Sequence, residues 1–74
     1  MTLYVDYNEQ KRINVNIDFD YDKMQYTITR HAPGDVWKER TTDGAKARRI
    51  AENFINLSTE QLESRIIAGC SLAE

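Results

Sequence analysis

The chain has 74 residues, 41% apolar and 30% charged, which is enough for a single domain over residues 1–74 with one thin core. At this size folding buries only roughly 60% of the unfolded surface, so a separate substrate domain does not fit. The net charge of −2 is small and the single cysteine excludes an internal disulfide; no apolar run nears the roughly 18 residues of a membrane span.

The charge is unevenly spread. Residues 1–23 carry five acidic and three basic groups, residues 24–49 three and six, and residues 50–74 four and one. A basic belt between two acidic ends is not the positive excess of a dedicated DNA binder, whose affinity comes mainly from neutralising phosphates. The start, Met1-Thr2-Leu3-Tyr4-Val5-Asp6, has neither a basic nor a long apolar region, so no signal peptide is expected there. With the lone cysteine, this gives cytosol as the expected compartment.

Leu3-Tyr4-Val5-Asp6-Tyr7 is a strand candidate with Leu3, Val5 and Tyr7 on one face, and Asn8-Glu9-Gln10 is a polar turn. A long hairpin follows and dominates the pattern. Ile13, Val15, Ile17 and Phe19 alternate with Arg12, Asn14, Asn16, Asp18 and Asp20, the period of a half-buried strand. Met24, Tyr26 and Ile28 alternate with Gln25, Thr27 and Thr29 in the same way, and Asp20-Tyr21-Asp22-Lys23 connects the two. Arg12, Asn14, Asn16, Asp18, Gln25, Thr27 and Thr29 are expected on the wet face. In Ala32-Pro33-Gly34-Asp35, Pro presets φ and Gly takes the positive φ of a type II turn. Val36 to Thr41 reads as an edge strand with Trp37, Glu39 and Thr41 on one face and Val36, Lys38 and Arg40 on the other.

The period changes at Thr42-Asp43-Gly44, where Asp43 or Thr42 is the candidate N-cap. Ala47, Ile50, Ala51, Phe54 and then Ile55 or Leu57 fall at helical spacing, predicting a helix over about 44–56. Ser58 with Gln61 forms a capping box for a second helix over about 59–68, and Leu57 with Leu62 suits a hydrophobic staple. Leu62, Ile66 and Ile67 are its expected buried stripe, Gly69 its stop, and residues 70–74 a loose tail. All strands lie within residues 3–42. The expected fold is therefore two-layer α+β, an antiparallel three- to four-stranded sheet followed by two helices packed on one face, in the order β-β-β-β-α-α.

No catalytic constellation emerges. Asp18-Phe19-Asp20-Tyr21-Asp22 opens like a calcium loop, but Lys23 stands where the turn wants Gly and Thr29 where a bidentate Glu is needed. One histidine, His31, and one cysteine, Cys70, fall short of a zinc set. No cofactor, metal or enzymatic activity is expected. Lys38, Arg40, Lys46, Arg48 and Arg49, with Arg30 and His31 near in sequence, form the strongest charge cluster, suited to phosphate or to an acidic protein face. Tyr21 at the hairpin tip and Trp37 on the edge strand are the candidate interface aromatics.

The strand-then-helix order and the run Ser58-Thr59-Glu60-Gln61-Leu62-Glu63-Ser64 resemble the small phage-encoded anti-CRISPR proteins, in particular a type I-F inhibitor built as an antiparallel sheet with two helices. In that inhibitor the run opens the first helix; here it opens the second, and no functional residue is carried over. The resemblance implies a non-enzymatic inhibitor, acting in the cytoplasm of an infected bacterial host, that binds a type I CRISPR surveillance complex and blocks target DNA by occlusion. Asp18, Asp20 and Asp22 are the groups expected to meet its basic groove, with Tyr21, Trp37, Lys38, Arg40, Arg48 and Arg49 as further partner contacts. The alternative is a small sheet-plus-helix DNA-binding module using Arg30, Lys38, Arg40, Arg48 and Arg49. A homodimer through the wet sheet face or the edge strand fits the same pattern.

Overall fold

The computed structural model describes residues 1–74. Four strands, β1 (Thr2–Asn8), β2 (Ile13–Asp20), β3 (Gln25–Ala32) and β4 (Asp35–Thr41), form one antiparallel sheet in the order β1-β2-β3-β4. Two helices follow, α1 (Gly44–Asn56) and α2 (Thr59–Ile67). The α+β architecture and the order β-β-β-β-α-α are those read from the sequence.

The β2–β3 hairpin pairs Ile17 with Ile28 and Phe19 with Tyr26, which puts Ile13, Val15 and Ile17 on the helix side together with Tyr26, Ile28, Arg30 and Ala32. Its turn is locked locally: the Asp20 carboxylate accepts hydrogen bonds from the backbone N–H groups of Asp22 (2.9 Å) and Lys23 (3.3 Å). Met24 is not part of β3 as its alternation suggests. It closes the turn with φ +51 and is exposed. At the next hairpin Gly34 takes φ +74, the value a type II turn requires of its third residue.

α1 supplies the helix side of the core. Ala47, Ile50, Ala51, Phe54 and Ile55 are buried on one stripe, and Asp43 caps the helix by accepting from Ala45 N (2.9 Å) and Lys46 N (3.2 Å). The helix lies over β2 and β3, so β1 is peripheral to it. That placement turns β1 around. Tyr4, Asp6 and Asn8 pair with core-facing Ile17, Val15 and Ile13, while Val5 and Tyr7 point to the open side and are exposed. A register shift between Thr2 and Tyr4 marks a bulge at Leu3.

α2 begins with the expected capping box: Gln61 N–H donates to Ser58 Oγ (3.2 Å) and Ser58 N–H to Gln61 Oε1 (2.9 Å). It ends in a Schellman turn at Gly69, φ +76, where Cys70 N–H donates to Arg65 O and Gly69 N–H to Ile66 O. Two expectations for this region fail together. Ile66 and Ile67 are exposed, and the tail is not loose. The turn at Gly69 folds the chain back, and Leu72 joins the core cluster that includes Leu62, whereas Ile66 stays exposed. Asn53 Nδ2 then holds the tail by donating to Leu72 O and Glu74 O, both at 2.8 Å.

The most consequential departure is Arg30, placed in the basic belt by its neighbours in sequence. Its position continues the Tyr26–Ile28 register onto the helix side, where it is 1% exposed. Burial pulls its pKa below the usual arginine value, and Asp35 and Glu60 act against that. The guanidinium donates to Phe54 O (3.0 Å), Leu57 O (3.2 Å) and Thr59 Oγ1 (3.1 Å), and Asp35 lies 3.8 Å away. α1 carries no basic residue in its last turn. Its end carbonyls, which no helical N–H can reach, are served from the sheet instead. Arg30 of β3 takes Phe54 O, Asn8 Nδ2 of β1 takes Ile55 O at 2.9 Å and Lys11 Nζ, in the turn after β1, takes Asn56 O, while the helix's own C-cap N–H, Leu57, takes Asn53 O. Two of these donors are cations at a helix C-terminus, where the dipole favours positive charge.

Candidate functional site

With both helices on one side, the other side of the sheet carries no covering element. Antiparallel pairing arranges its side chains in rows across the strands. One row runs Tyr7, Asn14, His31 and Val36; the next Val5, Asn16, Thr29 and Lys38; the third Thr2, Asp18, Thr27 and Arg40. The first row, with Val5, is the apolar end. The other end is charged, with carboxylates on β2 and at the hairpin tip and cations on β4.

At that end Asp18, Asp20, Asp22, Thr27, Lys38 and Arg40 line a shallow depression of about 600 Å³. Asp18 is held in place: its carboxylate accepts from Thr2 Oγ1 at 2.7 Å and Asn16 Nδ2 at 2.6 Å. Asp20 is oriented by its turn bonds, and Asp22 is exposed beyond it. Tyr21 is exposed at the tip, with its ring edge-on to Phe19 at 5.0 Å and its hydroxyl donating to Met1 Sδ at 3.0 Å. Phe19 in turn packs on Tyr26 at 4.8 Å, so a stack of rings fixes the tip. The calcium-loop alternative gains nothing here, because no three His, Cys, Asp or Glu side chains converge to hold an ion.

Of the nine candidate partner residues, Asp18, Asp20, Tyr21, Asp22, Lys38 and Arg40 thus share one surface. Trp37 does not. It faces the helices, half-buried, with its ring 6.3 Å from that of Phe54. Arg48 and Arg49 are exposed on α1, in the other layer. The basic belt is therefore not one surface: Lys38 and Arg40 belong to the open face, Lys46, Arg48 and Arg49 to the helix layer, and Arg30 to the core. Arg12, expected on the wet sheet face, sits in the β1–β2 turn with φ +55. His31, expected near the basic cluster, and Val36, expected on the face of Lys38 and Arg40, lie on the open face, and so do Val5 and Tyr7. For Tyr7 and Val5 the signal is misleading, since an alternating apolar run reads as a core face.

A second groove, about 510 Å³, runs between the end of β4 and the turn after α2, past Lys46, Ile66, Cys70 and Leu72. Glu39, Arg40, Lys46 and Cys70 are its titratable groups. No helix is long and apolar enough to cross a membrane. Comparison of the chain with protein-family models, curated proteins and solved structures finds no match.

Proposed function

We propose that the chain is a non-enzymatic protein-binding inhibitor, a phage anti-CRISPR that binds a type I CRISPR surveillance complex in the bacterial cytoplasm and blocks target DNA by steric and electrostatic occlusion. The supporting observation is the gathering of Asp18, Asp20, Asp22 and exposed Tyr21 at one corner of a sheet face that no helix covers. Carboxylates grouped this way attract a groove lined with cations at long range, and a groove that holds a guide–target duplex is such a surface. Tyr21 adds an apolar anchor with a polar tip, the kind of residue that carries interface energy. A standard interface takes about 800 Å² from each partner, about a sixth of the 4889 Å² this chain exposes. The open face with the hairpin tip supplies most of that.

The DNA-binding alternative finds less support. Its five proposed contacts divide among three places: Arg30 is in the core, Arg48 and Arg49 are on α1, and only Lys38 and Arg40 lie on the open face, beside three carboxylates that repel phosphate. Two phosphate contacts give a salt slope of only about −2, too shallow for useful affinity at cellular salt.

The test is retention of a purified type I surveillance complex by the immobilised chain. Neutralising the corner as D18N/D20N/D22N keeps an amide oxygen to accept the turn bonds of Asp20, so the fold survives. Retention is expected to fall at least tenfold. Equal retention by the triple variant rejects this corner as the binding surface, and no retention by the wild type rejects the partner.

A further inference from the structure

The open face is charge-complementary to itself about the line of β3, and we infer that a second copy of the chain docks there, face to face, as a weak isologous dimer. Register carries the inference. Asp18 and Arg40 both pair with Thr27, one from each side, and Asn16 and Lys38 both flank Thr29. Acid therefore lies one strand spacing, about 4.8 Å, to one side of β3 and base the same distance to the other. A two-fold axis lying in the interface along β3 exchanges the two sides. It sets Asp18 of each copy against Arg40 of the other, and Asn16 against Lys38.

The two cations have no ion pair of their own, and Asp18 carries only neutral donors, Thr2 and Asn16. The only ion pair within the chain is Arg30–Asp35, so neither Lys38 nor Arg40 has an internal carboxylate partner. The same axis brings Val36 over Asn14 of the second copy and leaves Tyr7 one strand spacing outside the second copy's Val36, within reach of its ring. That shelters apolar groups now 51% and 58% exposed at Tyr7 and Val36. Area sets the strength. About this axis three strands of each copy overlap, a face of about 14 by 25 Å, roughly 350 Å², below the about 800 Å² per partner of a durable complex. The dimer is accordingly reversible and dissociates on dilution through the micromolar range. It depends on the chain alone and not on the inhibitor reading, although both occupants use the same face and so compete for it.

Sedimentation velocity on the purified chain, from micromolar to near-millimolar concentration, is the test. Wild type is expected to move from monomer to dimer, less completely in high salt. D18R and R40D each replace two attractive pairs with two repulsive ones and should weaken self-association at least about tenfold. Mixing the two variants should restore it as a heterodimer, because the introduced arginine of one then meets the introduced aspartate of the other. Circular dichroism of each variant confirms that it is folded. Wild type that stays monomeric at the highest concentration overturns the inference, as do single variants that associate like wild type or a mixture that does not recover.

Discussion

Replacing Arg30 with methionine removes the guanidinium while keeping an unbranched apolar stem of similar length. What remains is Phe54 O and Leu57 O without their donors at the end of α1, and Thr59 Oγ1 without its own. A hydrogen bond from a charged donor contributes about 1.5–3 kcal/mol net. The three are not additive, because one ordered side chain makes them all and its burial is itself costly. Asp35 is 36% exposed and is rehydrated when its partner goes, so it adds little. The expected loss is about 3 kcal/mol, the lower end of what breaking a buried charged network costs. A chain of 74 residues has a total stability of only about 4–11 kcal/mol. In a domain this small such a loss lowers Tm by roughly 12–24 °C. Urea denaturation followed at 222 nm measures it directly. Arg30→Lys should fall between, since an ammonium is a compact charge that cannot span three acceptors lying in different directions. A methionine variant as stable as wild type, or more so, would refute the reasoning, because it would mean that water or local rearrangement serves those carbonyls equally well.

Three further outcomes follow from the same structure. Leu72→Ala should cost about 2 kcal/mol, the low end for a buried leucine, while Ile67→Ala, at a site 86% exposed, should stay within about 0.5 kcal/mol; thermal melts of the pair test whether the tail is pinned. Ser58→Ala removes one side of the capping box and should cost about 1 kcal/mol, read from the same melts. Burial, and then the hydrogen bond from Tyr4 to Asp6 at 3.0 Å, raise the pKa of the Tyr4 phenol above 10.0. Its stabilising effect is therefore complete below pH 10 and is lost as pH rises through the folded-state value, because the unfolded chain gives up that proton first. The difference in 295 nm absorbance between wild type and Tyr4→Phe should place this titration above pH 10, and the variant should lose less stability in alkali.

Strict alternation in Ile13–Phe19, the Pro33–Gly34 turn, the Asp43 cap and the Ser58–Gln61 box are local signals, and each specifies the structure around it. What the sequence concealed depends on partners distant in the chain. Arg30 reads as surface charge, since nothing near it announces that α1 ends without its own basic residue or glycine and needs donors from the sheet. The clue available is positional: Arg30 continues the inward register of Tyr26 and Ile28. Leu3, Val5 and Tyr7 read as a core face, but α1 covers β2 and β3 rather than β1, and a bulge at Leu3 shifts the register. Ile66 falls at helical spacing from Leu62 yet is exposed, and after the turn at Gly69 the tail buries Leu72. The candidate site was half legible. The hairpin-tip carboxylates and Tyr21 were visible, whereas the basic belt, contiguous in sequence, divides in space among the open face, the helix layer and the core.

The carboxylate corner of the open face is proposed to occupy a nucleic-acid-binding groove on a protein partner. The most direct measurement is target-duplex binding by a purified type I CRISPR surveillance complex, followed by fluorescence anisotropy as the chain is titrated in. Wild type should abolish duplex binding near stoichiometric amounts, and D18N/D20N/D22N should need at least tenfold more. Duplex binding unaffected by a large excess of folded wild-type chain would contradict the claim, and equal inhibition by wild type and the triple variant would move the contact away from this corner.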